Sequence, residues 1–579
     1  MPLNNIKLYN LTSFLMTSFV MLTFSLIYLS SLNTTLLSFE MTTVSSTSTD
    51  FIIVLDFMSL TFVSLVFFIA TAVMIYAQDY MFSDPNKNRL SGLLTLFILS
   101  MATFITTPNI MTMLLGWDGL GVISFVLVLY YNNHQSTSAA MITGLTNRIG
   151  DILILFSIGM SLKGGHWDLS SLNNFSQTSL SLILLIAACT KSAQFPFSAW
   201  LPQAMAAPTP VSALVHSSTL VTAGVYLMVR LSTQFLPCEK WMSFLLFLST
   251  VTSVMAGTCA LVETDLKKIV ALSTLSQLGL MVMGLSLGAP LLAFFHLVTH
   301  ALSKSLLFIS IGTFISVNQS GQDTRNIKAN LWASSPSSFV GATLASFSLC
   351  GAPFITGFYS KDLILETLWQ SSSSMLAFIG GGISTALTSA YSIKLLLLCS
   401  EATPSSESKP LRLIKNSEMK FSKLPVLFLS SASLFSGFFL NKTSAIFYTP
   451  LLLSAEHKYL TSTMLLMGWF LAQAESQKLI GTISLNPGTH HFLHSMCFLE
   501  MITTQGIMKL VKTPLYYAFK SMEQGWIEKI TYSAVKDLLT YTMKLNTVLA
   551  TVPSLIYLVQ AMALCMVVTI MSKEAPFFQ

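Results

Sequence analysis

The chain has 579 residues, of which 53% are hydrophobic and only 9% charged. Soluble domains carry about a quarter charged residues, so this composition excludes a soluble globular enzyme and requires a polytopic membrane protein. The net charge of +6 is small for the length, and no basic stripe with interleaved aromatics is present, which argues against a nucleic-acid partner.

The first apolar run, Leu11–Leu29, is long enough to span and lacks a basic region before it, so no cleavable signal is expected. Further apolar segments give about fifteen spans: 9–31, 52–76, 90–107, 109–131, 138–160, 179–200, 210–231, 241–262, 266–286, 290–316, 337–357, 374–399, 424–440, 459–473 and 553–572. The loop Asp84–Arg89 and the segment Glu401–Lys423 carry charge and turn residues and belong outside the bilayer. Between about Thr503 and Asn546, Phe519, Met522, Trp526 and Ile530 recur at helical spacing among Lys520, Glu523, Glu528, Lys529, Lys536 and Asp537. This stretch is too polar to span. It reads as a long amphipathic helix along the membrane surface or a partner, with two short helices broken at Pro514 as the alternative.

Two of the spans are interrupted. Lys191 stands where the 179–200 segment should stay apolar, and Pro196, Pro202, Pro208 and Pro210 then prevent one regular helix. Lys361 follows Gly351-Ala-Pro-Phe-Ile-Thr-Gly-Phe-Tyr-Ser360 in the same way. Broken, charged segments in an apolar setting survive mainly beside water-filled cavities or ion paths, and a matched pair points to inverted-repeat transporters. The bland alternative is a loop with a snorkelling lysine.

Other ionisable residues lie at membrane depth. Asp118, in Leu115-Gly-Trp-Asp-Gly-Leu-Gly121, is either a proton carrier or half of an ion pair; the structural alternative is a carboxylate bonded to a neighbouring helix. Arg148 and Asp151 are three apart on one helix face and can pair with each other. His296, His300 and Lys304 form an i, i+4, i+8 ladder, and His216 follows the first break. No glutamate lies between His296 and His300, so a proton relay is favoured over a zinc site. Asp362 adjoins Lys361.

Redox chemistry within the chain is not supported. The cysteines at 189, 238, 259, 350, 399, 497 and 565 show no CxxC spacing, no phosphate loop is present, and the glycines of Gly116–Gly121 lie in an apolar helix rather than a dinucleotide turn. Nothing resembles an activated nucleophile or a hydrolytic carboxylate pair.

The segments Leu115–Ser124, Asn147-Arg-Ile-Gly-Asp151, Lys191–Pro202, Ala207–Thr219, Asp265-Leu-Lys-Lys268, His300–Phe308 and Gly357–Ile364 resemble, in order, the motifs of the antiporter-like subunits of respiratory complex I. The resemblance implies an all-α polytopic membrane protein of about 15 transmembrane helices, with two inverted five-helix repeats, broken helices and a long lateral amphipathic helix. It implies N-terminal helices over 1–89, repeats over 90–231 and 241–400, additional helices and loops over 401–500, the lateral helix over 503–546 and a final span over 553–572.

It also implies a proton relay of Asp118, Lys191, His216, His296, His300, Lys304 and Lys361, supported by Arg148, Asp151 and Asp362. Asp118 would pair with Lys191, and Asp362 with Lys361. The family's acid is often glutamate, and aspartate is one methylene shorter. Cofactors (NADH, FMN, iron–sulfur clusters and ubiquinone) would sit on other subunits. Partners would be other membrane-arm subunits, especially neighbouring antiporter-like ones, and lipids of the mitochondrial inner membrane. The rival reading is a monovalent cation/proton antiporter subunit; a third is a membrane anchor whose charges only pair internally.

Overall fold

The computed structural model describes residues 3–31, 34–44, 47–162, 167–168, 178–235, 239–318, 321–326, 335–370, 375–400, 423–444, 455–476, 487–499, 501–549 and 555–573. The expected extramembrane segment Glu401–Lys423 lies outside these residues except for Lys423. The chain forms two units, Met1–Glu500 and Met501–Gln579.

The first unit is helical almost throughout. Its elements are α1 (Leu3–Ser31), α2 (Phe57–Tyr80), α3 (Lys87–Thr106), α4 (Ile110–Val128), α5 (His134–Ser161) and α6 (Thr178–Lys191). Then come α7 (Thr209–Arg230), α8 (Glu239–Val262), α9 (Leu266–Ser286), α10 (Pro290–Val317), α11 (Pro336–Cys350), α12 (Leu363–Gln370) and α13 (Met375–Ser400). The unit closes with α14 (Lys423–Ser444), α15 (Ala455–Ser476) and the short α16 (Pro487–His494). Among the described residues, 10 helices are long and apolar enough to cross a membrane. The apolar windows of α7, α9 and α10 are wholly buried, so these three form the centre around which the others pack.

One element was not anticipated. Thr35–Val44 and Thr47–Leu55 form an antiparallel β-hairpin, with Leu55 opposite Thr35. The span expected from residue 52 therefore starts at Phe57. Threonine, valine and isoleucine favour the extended chain over 42–54. Asp56 then fixes the helix start with a capping box: its carboxylate accepts from Ser59 N (2.8 Å), and its own N–H donates to Ser59 Oγ (3.0 Å).

The two repeats show in matching loop contacts. Ile110 N, at the start of α4, donates to Trp167 O beyond α5 at 3.0 Å; Leu266 N, at the start of α9, donates to Gln322 O beyond α10 at 3.1 Å. Asn109 lies opposite Asp168, and Asp265 opposite Asp323.

Both breaks occur where the sequence places them, for different local reasons. In the first, α6 stops at Lys191, Ala193 is left-handed (φ 53°), and Pro196 denies a donor to any continuation. Helix resumes through Phe197–Ala199 and Trp200–Gln203, and α7 begins with Pro210 in its first turn. Ser212–Thr219 is wound as a π-helix, in which Ser218 Oγ and Thr219 Oγ1 both donate to Leu214 O at 3.0 and 2.7 Å. Hydroxyls thus compete for the carbonyls that an α-turn would use. In the second, α11 ends at Cys350 rather than near residue 357, because Gly351 adopts φ 87° and Pro353 follows. The return turn is so tight that a Cβ on Gly357 would lie 1.7 Å from Ser348 O. A π-turn over Phe358–Asp362 then leads into α12.

The second unit is a helical run from Met501 to Leu549, followed by Leu555–Lys573. Pro514 sits inside Ile507–Ala518 without ending it, so the alternative of two helices broken there does not hold. A helix of this length reaches roughly 70 Å.

Candidate proton-transfer site

Lys191 is completely buried at the end of α6. Close packing makes room for it: a Cβ on Gly224 would meet Ala188 O at 2.4 Å, and one on Gly150 would meet Thr190 Oγ1 at 2.4 Å. Its ammonium donates to the main-chain O of Trp117 at 2.6 Å and lies 3.8 Å from the centroid of the same indole. Trp117 Nε1 in turn donates to Asp151 Oδ1 at 2.8 Å, and Asp151 Oδ2 accepts from Arg148 at 3.1 Å.

The expected Asp118–Lys191 ion pair is absent among the described residues: no Lys191 N to Asp118 O approach falls within 4 Å, and Asp118 Oδ1 is buried without a hydrogen-bond partner. Lys191 takes instead the main-chain carbonyl of Trp117, the residue before Asp118. Asp151 is linked to Lys191 through the Trp117 ring, which touches both. The expected Arg148–Asp151 pair is formed, with Arg148 58% exposed.

The second half builds a longer row. His296, His300 and Lys304 share one face of α10, met by Ser273 and Gln277 of α9, and all five are buried. Lys304 Nζ donates to Ser273 Oγ. His296 Nε2 meets Gln277 Oε1 at 3.1 Å, and its Nδ1 meets Ser360 Oγ at 2.9 Å, which also contacts Thr299 Oγ1 at 2.9 Å. With the Gln277 carbonyl as acceptor, Nε2 carries the ring proton and Nδ1 accepts from Ser360. The His296 and His300 rings are 6.2 Å apart, and neither nitrogen of His300 has a protein partner.

Lys361 follows Ser360 and folds back onto the break. It donates to Leu349 O (3.3 Å), Cys350 O (3.2 Å) and Thr388 Oγ1 (2.7 Å). The first two are the terminal carbonyls of α11, the negative end of a helix dipole, which suits a cation. The expected Lys361–Asp362 ion pair is not formed among the described residues; Asp362 bonds Thr461 of α15 instead. Adjacent residues in a π-turn point in different directions, which separates the two charges.

His216 lies in the π-wound part of α7, its ring 6.2 Å from Trp200, and both nitrogens are buried without protein partners. Buried polar atoms of this kind are normally satisfied by water. Two contacts between the halves and one cluster before residue 231 escaped sequence reasoning. Gln194 Oε1, in the first break, accepts from Thr252 of α8 at 2.8 Å; Lys267 Nζ, in the first turn of α9, donates to Ala207 O at 3.2 Å; and Asp56, Arg230, Tyr226 and Ile105 are tied together. Lys267 was visible as a charge inside a quoted motif, and Asp56 as a capping-box start. Gln194 gave no signal beyond polarity.

The chain's relatives carry the same frame. Family models described as "NADH-Ubiquinone oxidoreductase (complex I), chain 5 N-terminus", "NADH:quinone oxidoreductase/Mrp antiporter, TM" and "NADH dehydrogenase subunit 5 C-terminus" match residues 41–90, 107–388 and 391–572. NADH-ubiquinone oxidoreductase chain 5 of Aedes aegypti is 41% identical over 85% of this chain and 85% of its own. That of Lumbricus terrestris is 40% identical over 86% of each, and that of Anopheles gambiae 39% over 92% and 93%. Among solved structures, the Mrp complex of Dietzia sp. DQ12-45-1b shares the fold at TM-score 0.71 and 22% identity, covering 94% of this chain and 63% of that one. An archaeal membrane-bound sulfane sulfur reductase shares it at TM-score 0.65 and 17% identity, covering 80% and 94%. With two inverted repeats, a buried lysine at each break and relatives alike over nearly their whole length, the chain belongs to the NADH-ubiquinone oxidoreductase chain 5 family.

Proposed function

We propose that this chain is a proton-translocating, antiporter-like membrane subunit of NADH:ubiquinone oxidoreductase in the mitochondrial inner membrane. The observation that carries the reading is the buried row Lys304, Ser273, Gln277, His296, Ser360, Lys361, ending on the carbonyls of a broken helix. Isolated charges are costly at membrane depth, and a row of exchangeable donors and acceptors there serves ion transfer.

In this reading, Asp118, Lys191, His216, His296, His300, Lys304 and Lys361 hold or pass protons, while Arg148, Asp151 and Asp362 set the local charge. Residues 90–231 and 241–400 act as two linked half-channels, and 503–546 as a brace against neighbouring membrane-arm subunits and lipid. Hydride and electron chemistry belong to subunits that carry NADH, FMN, iron–sulfur clusters and ubiquinone. Quinone reduction alters charge along the arm, which changes how readily Lys191 keeps its proton. The second half responds by loading and releasing protons at Lys361.

The test is coupled proton pumping and NADH oxidation in membranes carrying Lys361→Met, after native electrophoresis shows the full assembly. Pumping and turnover are expected to fall together by about tenfold or more. Full retention of both overturns the role of Lys361. Sodium-dependent transport in the same membranes would favour the cation/proton antiporter reading instead.

A further inference from the structure

Trp117 touches both charges of the first half, and it does so with opposite ends. The electron-rich face of the indole carries the Lys191 ammonium 3.8 Å from its centroid, while its electropositive N–H reaches the Asp151 carboxylate at 2.8 Å. Both contacts match the ring's own charge distribution. The order across the site is therefore ammonium, ring face, ring N–H, carboxylate, guanidinium, the last from Arg148 at 3.1 Å.

The ring is held in that attitude. It is completely buried and packs on Phe104 with centroids 5.9 Å apart. A Cβ on Gly116 would lie 2.6 Å from Phe104 N, so α3 and α4 meet closely beside it. A Cβ on Gly150 would stand 3.4 Å from Trp117 Cζ2, so α5 bounds the other edge. Lys191 and Asp151 make no ion pair within 4 Å among the described residues.

We infer that Trp117 is a positioning residue, an indole spacer that links Lys191 to Asp151 electrostatically while keeping them out of direct contact. Direct pairing of a lysine and a carboxylate in a low-dielectric interior is far stronger than pairing through a polarised ring. A direct pair would hold the proton on Lys191 and slow every cycle that requires its release. The indole keeps the attraction weak enough to be overcome. Asp151 is then the carboxylate joined to Lys191 through the ring. This rests on the proton-transfer role of Lys191, which Lys191→Met tests separately.

The experiment compares Trp117→Phe, Asp151→Asn and the double variant, each as the full chain in the assembled complex. Phenylalanine keeps a ring beneath the ammonium but removes the N–H, which frees Asp151 to approach Lys191. Trp117→Phe is expected to assemble and to lose about tenfold in proton-coupled NADH oxidation. Asp151→Asn carries its own loss, and the double variant, with no carboxylate to collapse onto the lysine, is expected to be no slower than Asp151→Asn alone and faster than Trp117→Phe. Parent-like turnover in Trp117→Phe overturns the inference, and so does a double variant as slow as Trp117→Phe or slower than Asp151→Asn. If Trp117→Phe fails to assemble, assembly regained in the double variant supports the spacer role, and failure of both reduces the indole to a space filler. Unchanged pumping in Lys191→Met would instead overturn the functional reading itself.

Discussion

The two broken helices meet the same need by opposite means. Lys191 precedes its break and reaches across to another helix, resting on the carbonyl and ring of Trp117. Lys361 follows its break and turns back to the carbonyls its own element has left unpaired, with Thr388 as a third partner. The first arrangement depends on how α4, α5 and α6 sit against one another. The second is local to the break: two of its three bonds among the described residues go to the end of α11 just before the turn, and the third to one hydroxyl of α13. A disturbance that shifts α4 or α5 is therefore felt at Lys191, whereas Lys361 answers chiefly to its own turn and to the histidine row through Ser360.

This contrast can be broken most severely at Gly357. An added methyl would stand 1.7 Å from the Ser348 carbonyl, so Gly357→Ala forces the second break open. The expected outcome is loss of the assembled complex on native gels, and normal assembly would show that the turn is softer than described. Ser360→Ala comes next. It strips His296 Nδ1 of its partner, while Thr299 Oγ1 keeps its bond to His296 O, and leaving a buried polar atom unsatisfied costs about 1–3 kcal/mol. Turnover should fall with assembly preserved, as read by NADH oxidation per assembled complex. Thr388→Val removes a single acceptor while Leu349 O and Cys350 O remain, so a smaller loss of about 1 kcal/mol is expected, visible as a roughly fivefold slower turnover. No equivalent hydroxyl substitution exists at Lys191, whose acceptor is main chain.

Legibility followed the same division. Span positions, both breaks and the ladder on α10 came from periodicity and proline, because 3.6-residue spacing and missing donors act locally. The partners of the two lysines did not. Asp118 follows Trp117 directly, and sequence alone cannot say whether a lysine 74 residues away will take the carboxylate or the preceding carbonyl. Asp362 beside Lys361 misled for a related reason, since adjacency along a helix directs side chains apart. The hairpin was hidden by hydrophobicity: Phe51–Leu55 reads as the front of a span, and only the Asp56 cap marks where the helix begins.

Outside the membrane-spanning segments the expected effects are weaker. Burial raises the Asp56 carboxyl, but hydrogen bonds and charge from Arg230 outweigh it and hold the group below the usual carboxylate value. A depressed carboxyl contributes stability that is present above the unfolded value of about 3.9 and is lost as pH falls through the folded one. Asp56→Asn is expected to lower the thermal stability of the complex at neutral pH and to flatten its loss below about pH 4. An unchanged acid limb would mean that Arg230 finds another partner. Smallest of all, Arg325→Ala breaks only the exposed pair with Asp323 at 2.8 Å and should leave assembly and turnover unaltered.

The bond from Thr252 to Gln194 has a consequence for biogenesis. The amide belongs to the first break, yet its donor arrives only when α8 is made. During synthesis from the N-terminus, that carbonyl gains this donor only after residue 252 has been made. A chain halted before residue 252 would hold the first break without that donor.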